Sequence, residues 1–351
     1  MWRWIAGCLG IVLVCAIALR WSNRPSPEEA YARALSSLRD GDFEKSLAEL
    51  RRVARPARGA RENDAEWRSR LRLLEADVLI EQNRHAEAAA LLDAEADDSQ
   101  RPPEFRIVRR ALNAKWALRR SQFQKAAELL NEAGQLAAAN SRRDLSAEVN
   151  ILRGELLGRQ RRFAQAEAAY QEARRFAADL GDGHRQARAL KDLGLVRMLQ
   201  ARSEEAIPLL LQALAISERL GADYTTAGAA NNLGMCYAQL GDYDKALFYR
   251  EQALRLARPS ARLAEVLGET GTLHLDQGEP RQAAEFYRRA LSAAEQFGVL
   301  PEAARWAGNL TLALIATADW DGAESALQKA LSLKPEPRSR AFLEVNAAAI
   351  A

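Results

Sequence analysis

Cysteine and histidine are scarce, with three of each among 351 residues. Cys8 and Cys15 lie in an apolar run at the N-terminus and Cys236 stands alone, so they build no disulfide framework. His85, His184 and His274 are scattered, and no HExxH, CxxC or Cys/His cluster occurs, which removes the usual signatures of a metal site. GxSxG and GK[ST] patterns are absent as well. The Gly181-Asp182-Gly183 run is too short to cradle a phosphate and reads as a turn. Carboxylate pairs such as Glu28-Glu29 and Glu204-Glu205 read as solvated helix faces. No catalysis, cofactor or metal is expected. Valine, isoleucine and threonine are sparse, which argues against a large sheet. A net charge of +3 is too small to mark a nucleic-acid binder, and no aromatic stacking platform is interleaved with the arginines.

What the chain does have is a helix-forming composition. It is 48% hydrophobic and 28% charged, enough apolar residue for a folded core, and Ala, Leu, Arg and Glu dominate. The N-terminus stands apart. Trp4 to Leu19 is an unbroken apolar run, with Arg3 before it and Arg20 and Arg24 after. As a helix it would rise about 24 Å, and Trp2, Trp4 and Trp21 would sit at the interfaces. Residues 1–24 are therefore expected to form a signal-anchor or transmembrane segment. The expected localisation is a single-pass membrane protein with the rest of the chain outside the cytoplasm. Cleavage after the small-x-small triplet Ala16-Ile17-Ala18 would instead give a secreted or periplasmic protein. Ile5-Ala6-Gly7-Cys8 has the form of a lipobox, but the apolar run follows its cysteine instead of preceding it.

Beyond residue 26 the chain repeats. Gly154, Gly194 and Gly234 are forty residues apart, and Gly271 follows thirty-seven later. Ala126, Ala166, Ala206 and Ala246 keep the same step, with Ala283 and Ala323 continuing it. Another alanine follows each by seven, from Ala133 to Ala330. Aromatics stand three before several of them, as Phe123, Phe163, Tyr243 and Trp320 do. Small residues mark close helix crossings and large ones fill the spaces between. One helix pair cannot bury its own apolar face, so such units must stack. In the sixth unit, Gly241 suits the left-handed residue that ends one helix, and Asp242 can cap the next.

The set Leu233, Gly234, Tyr237, Gly241, Tyr243, Ala246 and Ala253 closely resembles the tetratricopeptide repeat (TPR). The usual period is 34 residues; the longer period here resembles kinesin light chains, bacterial Rap-type regulators and arrays that precede CHAT-type protease domains. The resemblance implies an all-α, right-handed α-solenoid of about eight helix-turn-helix units. Irregular units 1–2 are placed in residues 25–106 and units 3–8 in 107–335. Residues 336–351 form a capping helix or the start of a further repeat.

In TPR arrays the first helix of each unit lines a concave groove. With the small residue at position eight facing its neighbour, positions two, five, six, nine, twelve and thirteen face that groove. The partner-binding candidates on this phase are Lys115, Arg119, Arg159, Lys191, Asn231, Asn232, Met235, Gln239, Glu269 and Asn309, with Glu155, Asp192 and Met198 beside them. Asn232 and Asn309 occupy the position from which a carboxamide, both donor and acceptor, would clamp a ligand backbone. Between Arg106 and Arg175 there are 15 Lys and Arg against 7 Asp and Glu, which favours an acidic partner. The expected partner is a protein or peptide segment, held by a membrane-anchored, non-catalytic scaffold. The alternatives are the regulatory array of a larger enzyme, such as a CHAT-type protease, and self-association into a homo-oligomer.

Overall fold

The computed structural model describes residues 25–53, 62–95, 100–333 and 337–350, and every element among them is a helix. They form eight antiparallel pairs and a final helix. Unit 1 is α1 (Pro27–Arg39) with α2 (Phe43–Val53), and unit 2 is α3 (Glu62–Glu81) with α4 (His85–Ala94). Unit 3 pairs α5 (Pro103–Arg119) with α6 (Phe123–Ala139), and unit 4 pairs α7 (Arg143–Arg159) with α8 (Phe163–Asp179). Unit 5 is α9 (Gly183–Leu199) with α10 (Ser203–Arg219), and unit 6 is α11 (Asp223–Gln239) with α12 (Tyr243–Leu256). Unit 7 is α13 (Ala261–Asp276) with α14 (Pro280–Gln296), unit 8 is α15 (Leu300–Ala316) with α16 (Trp320–Ser332), and α17 (Pro337–Ile350) follows.

The forty-residue period has a simple origin. From α6 to α11 every helix has 17 residues and every turn three. In units 3 to 5 both helices are therefore equally long. The step shortens to thirty-seven where α12 ends at 14 residues, just before Pro259. The turns share one hydrogen-bond pattern. At the α11–α12 turn the Asp242 N–H donates to the Tyr237 carbonyl at 2.9 Å and the Gly241 N–H to that of Ala238 at 3.0 Å, with Gly241 at φ +77°. Asp242 caps α12 by accepting from the Lys245 N–H at 3.2 Å.

Every repeated small position is buried. Ala34, Ala76 and Ala114 hold the slot that Gly154, Gly194, Gly234 and Gly271 hold later, and the three alanines are fully inaccessible. A side chain from the unit's second helix lies across each glycine. A Cβ on Gly154 would come within 2.6 Å of the Tyr170 ring, one on Gly194 within 2.6 Å of Leu210, and one on Gly271 within 2.9 Å of Tyr287. The curvature follows from the same packing. Among the described residues, the backbone of each odd-numbered helix lies close to that of the next odd-numbered helix, whereas even-numbered ones stand further apart and meet only through long side chains such as Gln252 with Glu218 and Lys329 with Glu295. The odd-numbered helices thus crowd the concave side and form an inner face.

The expected membrane localisation is corrected. No helix among the described residues is long and apolar enough to cross a membrane. The 1–24 segment on which that expectation depended lies outside the described residues.

Candidate functional site

The inner face of units 2 to 5 is a ladder of charges paired from helix to helix. Lys115 on α5 reaches back to α3, with Nζ 2.6 Å from Asp77 Oδ1 and 2.5 Å from Glu81 Oε1. Arg119, one turn on, lies 3.5 Å from Glu81 and 3.3 Å from Glu155 on α7. Arg159 closes on Glu155 at 3.1 Å and donates to the Leu118 carbonyl at 3.2 Å. Glu148, on α7, takes Arg188 at 2.7 Å and Arg185 at 3.3 Å, both from α9. Lys191 pairs with its neighbour Asp192.

Burial and pairing compete at these groups, and pairing wins. Burial pushes the Glu81 carboxyl up, but Lys115 and Arg119 override it and hold the group well below the usual carboxylate range. Burial likewise opposes ionisation of Glu148, yet Arg188 and Arg185 bring it down to about 2. The cations Lys115, Arg119 and Arg188 are desolvated too, and their carboxylate partners still raise them. Three of the positive charges that the sequence places in the middle of the array, Lys115, Arg119 and Arg159, are thus paired inside the ladder.

Units 6 to 8 differ. Asn232 on α11, Glu269 on α13 and Asn309 on α15 occupy one register of three successive inner helices. Asn232 is buried and Asn309 half-buried. Met235 is half-buried nearby, while Gln239 is exposed and accepts from Ser203 Oγ at 2.5 Å. Behind this row lies an arginine where other units carry tyrosine or leucine. Arg250, almost fully buried, covers Gly234 as Tyr170 covers Gly154. Its Nη1 donates to Asn231 Oδ1 at 2.8 Å, and its Nη2 stands 3.8 Å from Glu269. Glu269 in turn holds Arg305 at 3.2 Å, and that guanidinium lies 3.8 Å over the Trp306 ring. Asn231 is fully buried, and its Nδ2 has no partner among the described residues.

The structure therefore divides the sequence candidates. It gathers Lys115, Arg119 and Arg159 with Glu155 in the charge ladder, and Asn231 with Glu269 in the Arg250 cluster. It buries Met198 at 1% exposure and removes Asn231 from the surface. Asn232, Met235, Gln239 and Asn309 remain on the inner face of units 6 to 8. Arg188 and Glu148 sit at position two of their units, on the phase that selected Lys191, and belong to the ladder equally. Arg250 was signalled by a cation in a slot held elsewhere by Tyr170, Leu210 and Tyr287.

An α-solenoid of stacked helix pairs with a charged and polar concave face is the class that fold and face define. The tetratricopeptide-repeat family models match residues 145–219, 185–258, 225–296 and 269–337, and the chain belongs to that family. No curated relative matches its sequence. Among solved structures it is similar to a Rap protein complexed with Competence and Sporulation Factor, at 14% identity and a TM-score of 0.61, over 92% of this chain and 97% of that one. The apo form of the quorum sensor NprR from B. thuringiensis aligns at 13% identity and a TM-score of 0.55, over 92% and 98%. BtubC (BKLC) from P. vanneervenii aligns at 23% and 0.52, over 61% and 90%.

Proposed function

We propose that this chain is a non-catalytic binding protein whose inner face, along α11, α13 and α15, holds an extended segment of a partner protein. The observation that carries the reading is the shared register of Asn232, Glu269 and Asn309 on three successive inner helices. A carboxamide both donates and accepts, so Asn232 and Asn309 suit the N–H and C=O groups of an extended backbone, with Met235 offering apolar contact. The structural likeness to a Rap protein solved with Competence and Sporulation Factor, and to a quorum sensor, supports a ligand-binding role. The ladder in units 2 to 5 bears on ligand chemistry. Lys115, Arg119 and Arg159 already have carboxylates, so a strongly acidic segment would have to displace Glu81 and Glu155. A segment of low net charge fits better.

Selection from a displayed library of random peptides tests this reading. A recurring sequence enriched on the wild-type chain, and lost on the Asn232→Ala/Asn309→Ala variant, is the expected result. No enrichment over an unrelated helical repeat protein would overturn it.

A further inference from the structure

The solenoid curls until its beginning meets its later units. Tyr224, the second residue of α11, stands at that meeting. Its ring meets Phe43 of unit 1 edge-on, with centroids 5.6 Å apart and planes at 72°. It also lies against Gly41, where an added Cβ would come within 3.0 Å of its Cδ2. Its hydroxyl donates to Glu81 of unit 2 at 3.4 Å, and the Arg262 guanidinium lies 4.2 Å over its ring. A second contact lies further along: Asn83 Nδ2 donates to the Phe297 carbonyl at 3.3 Å, in the turn before α15.

These contacts have a common logic. Gly41 and Asn83 are the left-handed residues of the turns inside units 1 and 2, at φ +74° and +59°. Both turns land where a later inner helix begins, α11 for the first and α15 for the second. Elsewhere the chain is held by apolar cores running from one unit to the next. Across this seam, Tyr224 is the one residue of the later units packed against the apolar core of units 1 to 3, among the described residues. The seam is thin and polar: beside the Tyr224 ring, its hydroxyl and the Asn83 amide, Arg39 of unit 1 faces Asp182 and Arg185, and Asp40 faces Asp223 and Arg258. It stands at the start of the inner helix that carries Asn232 and at the turn before the one that carries Asn309.

We propose that the seam is a gate. Units 1 and 2 close the ring against α11 and the turn before α15, and they part from these to admit a segment to the inner face. What enters rests on the binding reading above; the gate itself is tested without any ligand. The Tyr224→Ala/Asn83→Gly variant removes both contacts, and glycine keeps the left-handed turn. Small-angle scattering of this variant is expected to show a larger radius of gyration and maximum dimension than wild type. Amide exchange is expected to quicken at residues 41–45 and 224–226 and to stay unchanged in α7 and α8. Tyr224→Phe with Asn83→Gly keeps the ring contact and is expected to open less; it also serves if the alanine variant folds poorly. Identical scattering and exchange in the variants and the wild type would overturn the gate. A ring that opens while no library peptide binds would leave the gate standing and remove the binding reading.

Discussion

The Tyr224 hydroxyl lies 3.4 Å from Glu81 Oε2, across 143 residues of sequence. Glu81 is also bound by Lys115 and Arg119, so one carboxylate joins the charge ladder to the seam that closes the ring. Truncating a partner of a buried pair leaves the other charge uncompensated, at a cost of about 3–5 kcal/mol. Glu81→Gln is expected to fall near the lower end, because Lys115 keeps Asp77. Glu81→Leu combined with Lys115→Met should cost clearly less than the sum of its single changes. Urea unfolding of the four proteins in a double-mutant cycle measures this.

Acid should weaken the ladder before the apolar cores. The Glu148 carboxyl is held at about 2 in the folded chain, against an ordinary value of 4.5. A depressed folded value gives stability that is present above the unfolded value and lost as pH falls through the folded one. The contribution of Glu148, on the order of 2–3 kcal/mol, should therefore disappear between about pH 5 and pH 2. Thermal unfolding over this range should show a flatter pH dependence for Glu148→Gln than for wild type.

The turns offer a gain in stability. Ala201 and Arg161 both sit at φ +59°, where a Cβ costs about 1–2 kcal/mol and glycine avoids it. Set against the greater unfolded-state entropy of glycine, Ala201→Gly is expected to stabilise by about 0.5–1 kcal/mol. Gly241→Ala, at φ +77°, should destabilise by at least as much. Melting temperatures of the two variants must move in opposite directions.

Arg250 is the polar exception in an apolar slot, and burial pushes its guanidinium down from its ordinary range. Arg250→Leu copies the residue that unit 5 carries there, Leu210, but strands the Asn231 carboxamide without its donor. A loss of about 1–3 kcal/mol is expected. Adding Asn231→Ala should recover part of it, as measured by chemical unfolding. Further loss in the double variant would show that Asn231 is held by something other than Arg250.

Much of the fold was legible because each unit obeys the same packing rule. The small residues at Gly154, Gly194 and Gly234, the alanines twelve positions later and the turn at Gly241-Asp242 are local consequences of helices crossing closely. The ladder was half legible. Asp77 and Lys115, or Glu81 and Arg119, lie 38 residues apart, which a search for opposite charges one unit apart would have joined. The seam was not legible. Whether Gly41 and Phe43 reach Tyr224 depends on the pitch accumulated over five units, and no short stretch of sequence encodes that. Among the described residues, six turns also place a residue other than glycine at positive φ, so a search for turn glycines alone misses them.

The most direct measurement is the affinity of a library-selected peptide for the wild-type chain and for Asn232→Ala/Asn309→Ala, by calorimetry. If the inner face of units 6 to 8 grips a backbone through these carboxamides, the variant binds about 10–100-fold more weakly while it keeps the helical circular dichroism of wild type. Equal affinities for the two proteins would contradict the account.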